Sequence, residues 1–386
     1  MPRLVSGRTE PGHMVHGMGT ALEAPTWPAI THGEAEAILA RFPSAGRLAA
    51  LHWHSPRPFS AGALVETERG SFFLKRHHQS LRTPEGLDEE HGFMAHLRAG
   101  GVPVPEVVPA AGGGGAVTRD DWTYEVHARS PGRDIYRDRL SWTPFLSHRH
   151  AFEAGVALAR LHRASEGYAA PDRAAHPLVA SFTILPSRDP LAAAADYVAA
   201  RPALAGFLED KPWRQELARL FAALGTGLPE RLAGHPRLWT HNDWHPSNLL
   251  WSEDGAVRTV FDFGLAARTS AHHDLATAIE RTAIPWLDLA EGRGDGPADA
   301  AAALALLAGY RTVLPLTRSD VETVVRLLPL VHIEFALSEV DYFAGILRDG
   351  VQAKLAWQGY LVDHADWFLS PPGRDFLNQL ESGGAA

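Results

Sequence analysis

Two hydrophobic rhythms follow one another along this chain. Between residues 48 and 128 apolar and polar positions alternate in short runs, the period of half-buried strands. Residues 48–54 and 61–67 read as two strands joined through Ser55-Pro56-Arg57-Pro58-Phe59-Ser60, and Glu68-Arg69-Gly70 turns the chain into a third strand at 71–76. Another strand is expected at 122–128. The glycine cluster at 112–115 precedes a strand rather than a helix, so it reads as a hairpin turn and not as a phosphate-binding loop. The helical period intrudes twice in this half. A short helix opens on the capping box Thr31-x-x-Glu34 with Ile30 as staple, and a longer one spans 85–99, where Phe93 and Leu97 lie on the apolar face and Gly100-Gly101 ends it.

Past Pro131-Gly132 the helical period dominates, at 151–164, 190–200 and 213–224, then from about 271, 298 and 319, the last opening on Ser319-x-x-Glu322. Short strands interrupt it at 238–240, 249–251 and 257–261. The pattern predicts an α+β chain in three parts: a flexible tail over 1–26, a small β-rich lobe with one main helix over 27–130, and a larger, mainly helical lobe over 131–386.

Composition narrows the partners. A length of 386 residues suffices for two cores, and 45% apolar with 21% charged residues is ordinary for a soluble globular protein. The net charge of -9 argues against general binding to nucleic acid or an anionic membrane, which demand basic surfaces, and is compatible with a cationic substrate. Zero cysteine excludes disulfides, thiolate metal sites and a cysteine nucleophile. The first twenty residues carry no apolar signal core, and the longest apolar run, 300–308, falls short of the roughly 20 residues a membrane span needs. The expectation is a cytoplasmic protein; no oligomeric state follows.

The chemistry concentrates in two stretches. His241-Asn242-Asp243-Trp244-His245-Pro246-Ser247-Asn248 places an acid five residues ahead of an amide, and Phe261-Asp262-Phe263-Gly264 adds a second acid nineteen residues after the first. Phosphoryl transfer needs that set: Asp243 to take the proton of an attacking hydroxyl, Asn248 and Asp262 to hold Mg2+ against the phosphates of ATP. Lys75 closes the third strand. The chain has only three lysines, at 75, 211 and 354, among 36 lysines and arginines, so a lysine here points to a task that arginine does not fill, such as a compact phosphate site.

The form H-N-D followed by x-H-P-x-N resembles the aminoglycoside phosphotransferase and choline kinase family, nearest the branch of homoserine kinase and the bacterial stress-response kinases. The resemblance covers about 31–281. It implies a bilobal protein-kinase-like fold and an ATP- and Mg2+-dependent transfer to the hydroxyl of a small molecule, whether an antibiotic or an amino or sugar metabolite. It gives Lys75 the α- and β-phosphates. Counting back from Val102-Pro103-Val104-Pro105, it makes Glu90 the partner of Lys75. It sets the backbone of Phe59, Ser60 and Ala61 over the phosphates in place of a glycine loop, and that of His127, Ala128 and Arg129 against adenine. His241 braces the catalytic loop, and Asp274, in His273-Asp274-Leu275-Ala276, holds that loop by hydrogen bonds.

For the acceptor the sequence offers two polar sets. Glu334, Ser338 and Asp341 share one helical face, and Trp286, Asp288 and Glu280 form another group that would suit an amine. Two rivals remain. One is a stress-response type protein kinase, against which 265–273 is too short for an activation segment. The other is a nucleotide-binding pseudokinase that acts as a partner-binding module.

Overall fold

The computed structural model describes residues 13–174, 176–292 and 298–384. Two compact units divide the chain: one comprises the described residues up to Ala95 together with Val104–Pro131, the other His96–Pro103 with everything described from Gly132 onward. The predicted boundary near 130 therefore misses one exchange. The end of the main helix of the first half, with the segment after it, packs with the helical unit, where Val260 N–H donates to the carbonyl of Pro103 at 2.9 Å.

The first unit opens with a ribbon, β1 (Val15–His16) on β2 (Leu22–Glu23), where a flexible tail was expected. His16 N–H donates to Pro56 O at 2.8 Å, which ties the ribbon to the loop after the next strand. The part of that tail over 1–12 lies outside the described residues. Helix α1 (His32–Leu39) carries the expected capping box, with Glu34 N–H donating to Thr31 Oγ1 at 3.2 Å. Strands β3 (Leu48–His54), β4 (Ala61–Thr67) and β5 (Gly70–His78) precede α2 (Pro84–Ala99), then β6 (Ala116–Arg119) and β7 (Trp122–Ala128). The five strands form an antiparallel sheet in the order β3-β4-β5-β7-β6.

Strand alternation sorts this sheet's chemistry. Ala63, Val65, Leu74, Tyr124 and Val126 pack with Ile38, Leu39 and Phe42 of the α1 region in one core. The intervening positions, Lys75, His77, Glu125 and His127, fall on the opposite face.

The second unit holds α3 (His148–Ser165), α4 (Pro190–Ala199), α5 (Pro202–Leu208), α6 (Trp213–Leu224) and α7 (Leu228–Leu232). Four short strands follow: β8 (Leu238–Thr240), β9 (Leu249–Trp251), β10 (Val257–Val260) and β11 (Ala267–Thr269), with β9 on β10 and β8 on β11. Then come α8 (Ala271–Ala283), α9 (Trp286–Ala290), α10 (Ala300–Arg311), α11 (Arg318–Leu327) and α12 (Ile333–Asp341), with further helical segments to Gly384. β11 and α5 were not anticipated, being too short to show a period. α11 starts one residue before Ser319, because Thr317 and Asp320 form the capping box and displace the expected pair Ser319 and Glu322.

Helices α3 and α10 meet backbone to backbone. A Cβ on Gly155 would collide with the carbonyl oxygen of Leu306, and one on Gly309 with that of Phe152. This close approach sets His162 of α3 against Tyr310 of α10 at 2.9 Å.

Candidate active site

In the second unit the loop 241–248 is strung between β8 and β9, and Asp274 of α8 fixes its start. Asp274, with no exposed surface, accepts from His241 N–H at 2.9 Å, from Asn242 N–H at 2.8 Å and from His162 Nε2 at 3.0 Å. Burial alone would raise its carboxyl, but His162 and these donors outweigh it and keep the group ionised below its usual range. Asn242 and Asp262 both take left-handed backbone, each at φ 60°, a conformation non-glycine residues hold only when their surroundings impose it. For Asn242 the imposition is visible: its side-chain oxygen accepts from the Thr240 and Thr269 hydroxyls at 3.0 and 2.9 Å.

His241 bridges the two motifs. Its Nε2–H donates to the carbonyl of Phe261, the residue before Asp262, at 3.0 Å, and its Nδ1 accepts from Asp243 N–H at 3.2 Å. That arrangement requires the neutral imidazole, and burial lowers its pKa accordingly. Asn248 donates its amide to Asp243 twice, to the backbone carbonyl and to Oδ2, both at 2.9 Å. The amide is thereby oriented; its oxygen and the carboxylate of Asp262 are both of the hard oxygen type that Mg2+ prefers.

The other oxygen of Asp243 has a partner the sequence did not suggest. Arg281 Nη1 donates to Asp243 Oδ1, and His245 Nε2 lies 3.5 Å from the same atom. The Arg281 guanidinium is 2% exposed and lies over Trp142 and Phe335 at 5.1 and 4.9 Å from their ring centroids. Burial lowers its pKa to about 10. A signal did exist: Arg281 follows Asp274 by seven residues, two turns along one face of α8.

The acceptor sets fare unevenly. Glu334 caps the loop below it, accepting from the N–H groups of Thr183 and Ile184 at 2.6 and 2.7 Å. Ser338 Oγ accepts from Leu178 N–H at 2.8 Å, and Asp341 from Leu204 N–H at the start of α5 at 3.3 Å. These three anchor neighbouring loops. Glu280 does line a cavity, beside Arg281, His273, His332 and Phe335. Trp286, by contrast, stacks on His364 at 3.7 Å between centroids, with its indole N–H on the carbonyl of Glu280.

In the first unit Lys75 of β5 lies opposite Glu125 of β7. Glu125 is completely buried and gathers three imidazoles: His77 on Oε1 at 2.9 Å, His91 and His127 on Oε2 at 2.7 and 2.9 Å. Burial raises the carboxyl, but the imidazoles win and hold it well below the carboxylate range. Glu90, buried next to His91 on α2, is thus fixed to the sheet that carries Lys75. Gly115 is needed here, since a Cβ would run into His91 Nδ1. Ser60 sits in the turn between β3 and β4. The N–H groups of Ala128 and Arg129 donate to the carbonyls of Glu106 and Ser71 at 2.8 and 3.1 Å.

The family model described as phosphotransferase enzyme family matches residues 59–316. Homoserine kinase of Caulobacter sp. (strain K31) is 26% identical over 258 residues, 67% of this chain and 70% of that protein. A microcompartment-associated aminopropanol kinase superposes with a TM-score of 0.56 at 21% identity, over 89% of this chain and 99% of its own. An amicoumacin kinase solved with AMP-PNP, Ca2+ and Ami superposes at 0.54 and 17% identity, over 91% and 96%. The shared fold is the protein-kinase-like α+β fold. No helix among the described residues is long and apolar enough to cross a membrane.

Proposed function

The chain belongs to the phosphotransferase enzyme family and is a small-molecule kinase, and from that premise we propose that it moves the γ-phosphoryl group of ATP to an acceptor hydroxyl at Asp243. The observation that carries the reading is the construction of the 241–248 loop. One buried carboxylate, Asp274, fixes its backbone, one neutral imidazole, His241, links it to the Asp262 turn, and one amide, Asn248, aligns Asp243.

In this reading Asp243 orients the acceptor hydroxyl and receives its proton as the oxygen bonds to phosphorus, while ADP leaves with the former bridging oxygen. Asn248, through its amide oxygen, and Asp262 hold Mg2+. When bound, the ion offsets the negative charge of the phosphate oxygens. Lys75 holds the α- and β-phosphates, with Glu90 on α2 setting its direction, and the turn at Ser60 supplies backbone N–H groups. The imidazole of His127 joins the Glu125 network. The acceptor is a small amine-bearing alcohol; resistance to an antibiotic is one role among several such acceptors would allow.

The test is ADP release with ATP and Mg2+ against homoserine, aminopropanols, aminoglycosides, choline, sugars and a generic protein. Turnover on a small acceptor, lowered roughly 100- to 10,000-fold by Asp243→Asn with nucleotide affinity kept, is the expected result. Signal on the protein alone would favour the protein-kinase rival. That reading is disfavoured because 265–273 run directly into β11 and α8. Bound ATP with no turnover on anything would favour the pseudokinase.

A further inference from the structure

Three side chains that the proposed reaction does not use converge inside the second unit. Glu280 of α8, His332 at the entry to α12 and His364 of a later helical segment are 2, 7 and 8% exposed. Each offers one ligand atom, and the three atoms lie within 4.8 Å of one another. Glu280 Oε1 is 3.4 Å from His364 Nδ1 and 3.7 Å from His332 Nδ1. These are near misses for hydrogen bonds: Glu280 Oε1, His364 Nδ1 and His332 Nε2 are buried and make none. Folded proteins satisfy buried polar atoms, so orphans that face one another point to a partner between them.

An ion pair is the plain alternative. Burial, however, holds the His332 imidazole well below its ordinary pKa, so it is neutral and brings Glu280 no charge. The neighbouring guanidinium of Arg281 rests on Asp243, while Glu339 has no hydrogen bond on either oxygen. Three carboxyl groups, Glu280, Glu339 and Asp243, thus share one buried guanidinium, a balance that a further cation would improve.

The spacing fits a metal ion. Two donors on one tetrahedral Zn2+, each about 2.0–2.1 Å from it, stand about 3.3 Å apart, close to the separations around Glu280 Oε1. Both rings are held in place by their neighbours. His364 stacks on Trp286 at 3.7 Å and 11°, and the Trp286 indole donates to the Glu280 carbonyl at 3.0 Å. His332 stands edge-on to Trp142 at 5.9 Å between centroids. A cavity of about 20 Å³, room for one water, borders Glu280 and His332 and leaves space for a fourth ligand.

We propose that Glu280, His332 and His364 form a site for a divalent transition metal, Zn2+ above all, with water in the fourth position. Two imidazoles and one carboxylate suit such an ion and not Mg2+, which keeps to oxygen ligands. The site is distinct from the pair Asn248 and Asp262, and it stands independently of the phosphoryl acceptor. Bound there, the ion pins α8, the helix that also carries Asp274 and Arg281, to the segments of His332 and His364.

The untagged full chain, stripped by a chelator, is titrated with Zn2+ alone and with Co2+ alone, and read by metal analysis, thermal unfolding and visible absorption. One Zn2+ per chain with a raised melting temperature is expected, as are the intense visible bands of tetrahedral Co2+; excess Mg2+ should displace neither ion. Glu280→Gln and His364→Gln should each weaken Zn2+ binding roughly 100- to 1,000-fold, the share of one ligand in a structural zinc site. His272→Gln, in the separate cluster with His235 and Asp320, should leave it unchanged. X-ray absorption on the wild-type zinc form should count two imidazoles, a readout that holds even where a variant fails to fold. Absence of stoichiometric Zn2+, or fewer than two imidazoles around it, overturns the proposal. So does binding that is lost in His272→Gln and kept in Glu280→Gln and His364→Gln.

Discussion

Asp274 never meets solvent, and three donors fill its two oxygens. Asp274→Ala would strand two loop N–H groups and the His162 imidazole, so we expect a loss of about 3 kcal/mol in urea unfolding together with a collapse of turnover. Asp274→Asn keeps one accepting oxygen and should be milder in both. An alanine variant of wild-type stability would mean that the loop is held some other way. At this scale the sequence is most legible where chemistry is local. Asp243, Asn248 and Asp262 are recognisable because the spacing of one loop and one turn already places them. Arg281, His332 and Glu339 reach the same neighbourhood from α8, the residue before α12 and α12 itself, and helical periodicity says which face they share but not what that face meets. Glu334, Ser338 and Asp341 show the limit: they do share a face, yet neighbouring loops claim their oxygens.

Elements carry the next level of control. Gly155 and Gly309 let α3 and α10 touch, and that contact sets His162 and Tyr310 under Asp274. Gly155→Ala should destabilise the chain by about 1–3 kcal/mol or more and reduce turnover with it, since the clash is with backbone and cannot be relieved by a rotamer change. Thermal unfolding alongside kcat checks both, and an unaffected melting temperature would contradict the packing. Helix α8 brings a pH dependence. His273 is buried and its pKa is lowered to about 4 from an ordinary 6.5, so the unfolded chain takes the proton first as pH falls. Stability therefore declines from about pH 6.5 and levels off below about 4, with His273 accounting for about 2 kcal/mol of the loss by pH 5. The slope of melting temperature between pH 7 and 5 should flatten in His273→Leu; an unchanged slope would remove this histidine as a cause.

For the whole molecule, ligand linkage is the informative observable. ATP with Mg2+ at a hundred times its dissociation constant should stabilise the chain by about 2.7 kcal/mol, and EDTA or Asn248→Ala should remove the metal-dependent part of that gain. A thermal shift indifferent to EDTA would count against Asn248 and Asp262 as the ion's ligands. The α+β order, the main helices and the motif loop were all readable from the sequence, because periodicity, caps and motif spacing are properties of neighbouring residues. The ribbon over 15–23, the exchange of 96–103 into the helical unit and the short strand β11 were not, since each is too brief to show a period and exists only through its partners. The same reason separates the two halves of the site's chemistry. Residues within one loop or turn are positioned by chain connectivity, which the sequence states outright. The Glu125 cluster with its three histidines, and the arginine laid across Asp243, depend on which faces of distant elements are pressed together and kept from water, and only the folded chain decides that.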